Sequence, residues 1–339
     1  MDNPVLVEVL RGGQVESRHR GAVAVYDADG KPVLALGEVA QPVFPRSAVK
    51  GFQALPLIES GAADRYGLTE AEIALCCASH NGEPEHVATA LGILVKAGQG
   101  PECLECGAHW PMYDAATRKL AGAHGEPTAL NNNCSGKHSG FICLACGGLE
   151  VDPKGYVGRE HPVQQAVRAA MSEITGAAHD VAIAGTDGCS IPTYAVPLEA
   201  LALGFARFGT GHGVGPERAK AAARIRKAVA SAPFMVAGTR RFDTEIMEAL
   251  RERAFTKTGA EGVFCATFPE LGLGLALKID DGATRAAEVV MAALIARFLT
   301  LDDTETAAVQ PHLTPVLRNW NRIEVGALRP AGLLSGAAA

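Results

Sequence analysis

The sequence has no apolar run long enough to span a membrane. Its longest helical apolar stretch, residues 286–299, is interrupted by Glu288 and Arg297 and falls short of the roughly 20 residues a bilayer needs. The first residues lack a basic start, an apolar core and a small-residue cleavage site, so no membrane association is read and the cytoplasm is the expected location. Positive charge is not in excess: 31 Lys and Arg stand against 37 Asp and Glu, a net charge of −6, which offers nucleic acid no electrostatic footprint. The nine cysteines are an odd number and, without an export signal, are expected as reduced thiols, some of them available to a metal. No internal repeat and no clean boundary divides the chain, so residues 1–339 are read as one domain, long enough to bury its core without staples.

What is present is an alternation of strand and helix signals. Residues 5–10 and 15–19 flank Gly12 and Gly13, and residues 22–26 and 33–36 flank a turn at Asp29 and Gly30, which are hairpin patterns. A helix is predicted over 47–59, with Pro56 kinking or ending it, and Thr69 with Glu72 forms a capping box. Pro84 opens a helix that runs to Lys96, and a long loop follows over 98–130. Helices are predicted at 134–146, 163–174, 217–230 and 244–251, a short buried strand at 181–186 and a flexible glycine-rich loop at 209–215. Strands at 254–257, 262–268 and 273–279 precede a helix at 284–299. The fold class is therefore α/β (α+β): a mostly antiparallel sheet drawing strands from both ends of the chain, flanked by helices.

Three short motifs carry chemistry. Ser47 and Lys50 form a Ser-x-x-Lys pair on one helix face, where a neutral amine could take the proton of a hydroxyl that is otherwise a weak nucleophile. Ser79 and Asn81 form a Ser-x-Asn triplet, and Lys257, Thr258 and Gly259 a Lys-Thr-Gly triplet on a predicted strand. This trio in this order resembles the serine β-lactamases and penicillin-binding proteins, over roughly residues 20–60 and 253–300. Arg46 has the planar fork suited to a carboxylate, and Asp187 could accept an ammonium. His80 and His138 adjoin the motifs, whereas His86, His161 and His312 are expected at the surface. The pairs Cys103/Cys106 and Cys143/Cys146 lack zinc-ribbon spacing and are assigned to structure.

The middle of the chain departs from β-lactamases. The run Asn131, Asn132, Asn133, Cys134, Ser135, Gly136, Lys137, His138, Ser139, with Asp187, Gly188 and Cys189, resembles the bacterial L-asparaginase II family of the Rhizobium etli type (class 3), across nearly the whole chain. The resemblance implies a serine β-lactamase-like fold, hydrolysis of L-asparagine to L-aspartate and ammonia, and a homodimer. It also implies two Ser–Lys tandems, Ser47 with Lys50 and Ser79 with Lys257, and substrate contacts from Arg46, Asp187, Asn81 and His80. Of the two serines, Ser47 is favoured as nucleophile because its base is adjacent in sequence. In the resembled family Cys134, Lys137 and Cys189 match the ligands of a Zn2+ ion, expected to shape the pocket rather than perform the chemistry. Two other readings use the same residues: a penicillin-recognising serine hydrolase, and a non-catalytic zinc or amino-acid binding protein.

Overall fold

The computed structural model describes residues 3–338. Eight strands make the main sheet: β1 (Val5–Arg11), β2 (Gln14–Asp27), β3 (Pro32–Leu36), β4 (Phe255–Thr258), β5 (Val263–Phe268), β6 (Leu273–Ile279), β7 (Val316–Arg318) and β8 (Glu324–Pro330). Their order is β7-β8-β1-β2-β6-β5-β4, with β3 also paired to β2, and every pairing is antiparallel. The strands expected at 15–19 and 22–26 are one long strand. The first half of β2 pairs with β1 (Val7 opposite His19) and its second half with β3 and β6 (Val25 opposite Leu34 and Leu275). A single strand shared in this way makes the sheet curl.

Strand alternation sorts the two faces by size. Val23, Val25, Phe264, Leu275 and Leu277 pack with the helix Thr284–Phe298 and its neighbours Phe242–Leu250 and Asp303–Leu313. Small residues occupy the other face: Ala22, Ala24, Cys265 and Ala276 meet the main helical body through the helix Leu198–Thr210. That helix lies so close to β6 that a Cβ on Gly274 would fall 2.0 Å from the carbonyl oxygen of Ala202. Gly274→Val is therefore expected to destabilise the fold by about 3 kcal/mol or more, at the upper end of overpacking costs. Urea denaturation measures this, and an unchanged midpoint would contradict the close packing.

Several expectations need correction. The helix predicted over 47–59 is three pieces, a 3-10 turn Arg46–Val49 and the helices Lys50–Gln53 and Leu55–Glu59, with Pro56 in the first turn of the last, where its missing N–H is harmless. Only Ala184–Thr186 of the expected strand at 181–186 is extended; it pairs with Pro192–Tyr194 and is not buried, because it lies outside the main sheet. The long loop contains the helix Asp114–Gly122. Gly209 belongs to the helix Leu198–Thr210, pressed against Thr267, so the glycine-rich loop begins only at Gly211. Among the described residues no helix is long and apolar enough to cross a membrane.

Candidate active site

The Ser-x-Asn triplet is an extended segment following the helix Glu70–Cys76, and backbone bonds pin it in place. Ser79 N–H donates to Val236 O, His80 N–H to Asn133 O and Asn81 N–H to Ala237 O. Its hydroxyl faces two lysines. Lys50, 1% exposed, donates from Nζ to Ser79 Oγ at 2.9 Å, to Cys134 Sγ at 3.0 Å and to the carbonyl of Ala78. Lys257, 0% exposed on β4, lies 3.1 Å from the same Oγ and donates to Thr258 O at 2.8 Å. The Ser47–Lys50 tandem expected from sequence is thus not a hydrogen-bonded pair. A buried ammonium must satisfy its three donors, and the acceptors within reach of Lys50 are Ala78, Ser79 and Cys134. Ser47 Oγ has no hydrogen-bond partner among the described residues, but it lines the same open pocket of about 490 Å³ as Ser79 and Asn81.

The two lysines differ in surroundings. Burial pushes the Lys257 amine down to about 7; Lys50 and Arg241 push the same way, while Asp243 and, more weakly, Cys134 pull it up. Asp243, whose Oδ2 is 4.0 Å from Lys257 Nζ, is held rigidly by Thr256 Oγ1 at 2.9 Å and the Thr258 N–H at 3.0 Å.

Cys134, Lys137 and Cys189 do converge. Lys137 Nζ donates to Cys189 Sγ at 3.1 Å, and the two thiols lie close enough to shift each other's ionisation. The neighbouring Cys189 holds the Cys134 thiol well below its usual range against burial, with Lys50 and Lys137 assisting, while the Cys189 thiol is raised. No cluster of three or more His, Cys, Asp or Glu able to hold a metal occurs among the described residues. In the ligand set that the resemblance implies, Lys137 would be the third protein ligand. Two sulfurs with an amine beside them are donors of the kind zinc takes, provided Lys137, whose amine Cys189 and Cys134 hold above its ordinary value against burial, sheds its proton.

Arg46 and Asp187 are also together, but with each other: Arg46 Nε and Nη2 both reach Asp187 Oδ1, at 2.9 and 2.8 Å. Burial opposes the Asp187 charge, and Lys137 and Arg46 overcome it, keeping the carboxyl below its ordinary value. Arg46 takes a left-handed conformation (φ 51°), which turns the chain sharply into Ser47. His80 stands behind the wall, not in the pocket. Its Nδ1 accepts the Gly82 N–H, so Nε2 donates to Ser135 Oγ at 2.9 Å, and burial holds the ring neutral. His86, expected at the surface, is fully buried with its ring stacked on those of His80 and Phe234.

Sequence reasoning missed Arg241, Asp243 and Glu83. Arg241 lines the pocket and donates to Asn81 Oδ1 at 3.2 Å and Ser79 O at 3.4 Å. The one available signal was an acidic residue in the first turn of the helix Phe242–Leu250, which is ordinarily a helix-dipole feature.

A hydroxyl held between two amines in the wall of an open, polar pocket is the equipment of a nucleophilic hydrolase. The sequence profile of the family described as L-asparaginase II matches residues 7–330. The chain belongs to the L-asparaginase II family, and its activity is that of an L-asparaginase, an amidohydrolase acting on the small molecule L-asparagine. A comparison with curated proteins finds no match.

Proposed function

We propose that the chain hydrolyses L-asparagine through a serine–lysine mechanism centred on Ser79. The observation carrying this reading is that both lysine amines lie within 3.1 Å of Ser79 Oγ. Neutral Lys257 takes the hydroxyl proton while Lys50, surrounded by acceptors, keeps the oxygen oriented. Ser79 Oγ then attacks the side-chain carboxamide carbon. As the tetrahedral intermediate collapses, Lys257 returns its proton to the leaving nitrogen, which departs as ammonia. A water molecule, deprotonated by the same amine, releases aspartate from the ester. Ser47 borders the same pocket and is the second hydroxyl of the site, able to relay protons or hold the reacting group. Arg46 and Asp187 present opposite charges beside it, and a substrate engaging them would have to replace one partner of their ion pair.

The test is ammonia release from L-asparagine, with L-glutamine and nitrocefin in parallel. Release from asparagine is expected, with nitrocefin left intact; nitrocefin turnover without ammonia release would favour the penicillin-recognising alternative.

Zn2+ would be held by Cys134, Lys137 and Cys189, and when bound supplies fixed positive charge that shapes the pocket beside Lys50. Cys134→Ala and Cys189→Ala should each abolish zinc in elemental analysis of the purified protein; retained stoichiometry would contradict the assignment. A sheet built from both chain ends, with the Ser47 turn packed against the Lys257 strand at the sheet's end, agrees with a serine β-lactamase-like fold. A cytoplasmic homodimer completes the proposal, and sedimentation checks the dimer.

A further inference from the structure

Hydrolysis centred on Ser79 leaves open how the two charged ends of a free amino acid are held. Asparagine carries an α-carboxylate and an α-ammonium, and both must lose water on entering a pocket, so each needs a charged partner or strong donors there. Arg46 is occupied, since two of its nitrogens are already on Asp187. Arg241 is not. It lines the pocket half-buried, and among the described residues no carboxylate pairs with it within 4 Å. Both of its hydrogen bonds use Nη1 and both go to neutral oxygens, leaving the Nε and Nη2 donors without partners among the described residues. A guanidinium with an open fork is suited to bidentate capture of a carboxylate.

Its anchoring supports the same role. One Nη1 bond reaches the carbonyl of Ser79 itself, tying the fork to the residue whose hydroxyl reacts. The other reaches Asn81, whose Nδ2 is held by Glu83 Oε1 at 3.2 Å and Thr239 O at 3.0 Å. Glu83 in turn accepts the N–H of Thr239 at 2.8 Å and its hydroxyl at 2.7 Å. Gly238 (φ +109°) lets the chain pass this carboxylate, because a Cβ there would sit 2.5 Å from Glu83 Oε1. Glu288 lines the same pocket, half-buried, and has no hydrogen-bond partner among the described residues. Burial, with Asp243 and Glu245 nearby, raises its carboxyl to about 7, against Arg241, so an arriving cation would be the partner it lacks.

We infer that Arg241 receives the α-carboxylate of the substrate and Glu288 its α-ammonium, so that these two residues set the requirement for a free α-amino acid. The inference rests on the asparaginase reading. It assigns Asn81 and Glu83 as positioning residues for the fork.

The experiment measures kcat/KM for L-asparagine, for 3-aminopropanamide, which lacks the α-carboxylate, and for succinamic acid, which lacks the α-ammonium. Wild type should prefer asparagine to 3-aminopropanamide by roughly 10–100-fold, as loss of hydrogen bonds to a charged group predicts. Arg241→Met should lose a similar factor on asparagine, mainly in KM, while turning over both amides almost equally; Arg241→Lys should restore part of the preference. Glu288→Gln should level asparagine with succinamic acid in the same way. Because each result is a ratio within one variant, partial misfolding does not produce it. Arg241→Met keeping the full preference while Arg46→Met loses it would overturn the inference and leave the asparaginase reading standing. A wild type that releases no ammonia from asparagine would overturn both.

Discussion

Ser79→Ala is expected to lower kcat for L-asparagine by on the order of 10⁴-fold or more, because it removes the hydroxyl on which both amines converge. Ser47→Ala should cost far less, about 10²-fold at most, since Ser47 Oγ hydrogen-bonds to neither lysine. Steady-state ammonia release measures both. The order matters more than the magnitudes. Adjacency in sequence favours Ser47, whereas the arrangement in space favours Ser79, and a larger loss from Ser47→Ala would reassign the attacking group. Ser79→Cys serves as a control for folding, because a thiol can occupy the same place between the two amines.

Lys257→Met should lower kcat by about 10²–10⁴-fold, the range for removal of a general base. The pH profile carries the sign. The base works when neutral, and the amine titrates near 7. At saturating asparagine, where the α-ammonium engages Glu288, kcat should therefore rise about tenfold per pH unit below that value and level off above it. The groups facing Lys257 are Asp243, Lys50, Arg241 and Cys134, of which Asp243 is the largest influence raising its pKa. Asp243→Asn removes that influence, so the acid limb should move to lower pH while the plateau persists. A profile flat from pH 6 to 9, or a limb moving upward in Asp243→Asn, would exclude Lys257 as the titrating base.

Much of the sheet was legible because its strands alternate or are β-branched and their turns carry glycine. The pairs β5 and β6, and the helix Thr284–Phe298 that covers them, follow from pattern alone. The helix Leu198–Thr210 was missed although it carries a signal: Leu198, Leu201, Ala202, Phe205 and Phe208 recur at helical spacing, with Glu199, Arg207 and Thr210 on the less buried side. The last strands, β7 and β8, are short or polar at the sheet's edge and give only a weak signal. Within the site, residue types that chemistry demands in a motif could be found: Ser79, Lys257, and the Cys134–Lys137 run with Cys189. Partnership could not. Which hydroxyl a buried lysine touches depends on where its long stem ends, and Lys50 ends among Ala78, Ser79 and Cys134, segments 28 to 84 residues away. Arg241 and Glu83 stand outside any motif, and their roles arise only when the segment 236–241 folds against residues 79–83.

The most direct test is to quench wild-type enzyme during turnover of L-asparagine with acid and to map the peptides by tandem mass spectrometry. An aspartyl ester on Ser79, absent in Ser79→Ala and retained in Ser47→Ala, is the result this account predicts. The same ester on Ser47 would contradict it.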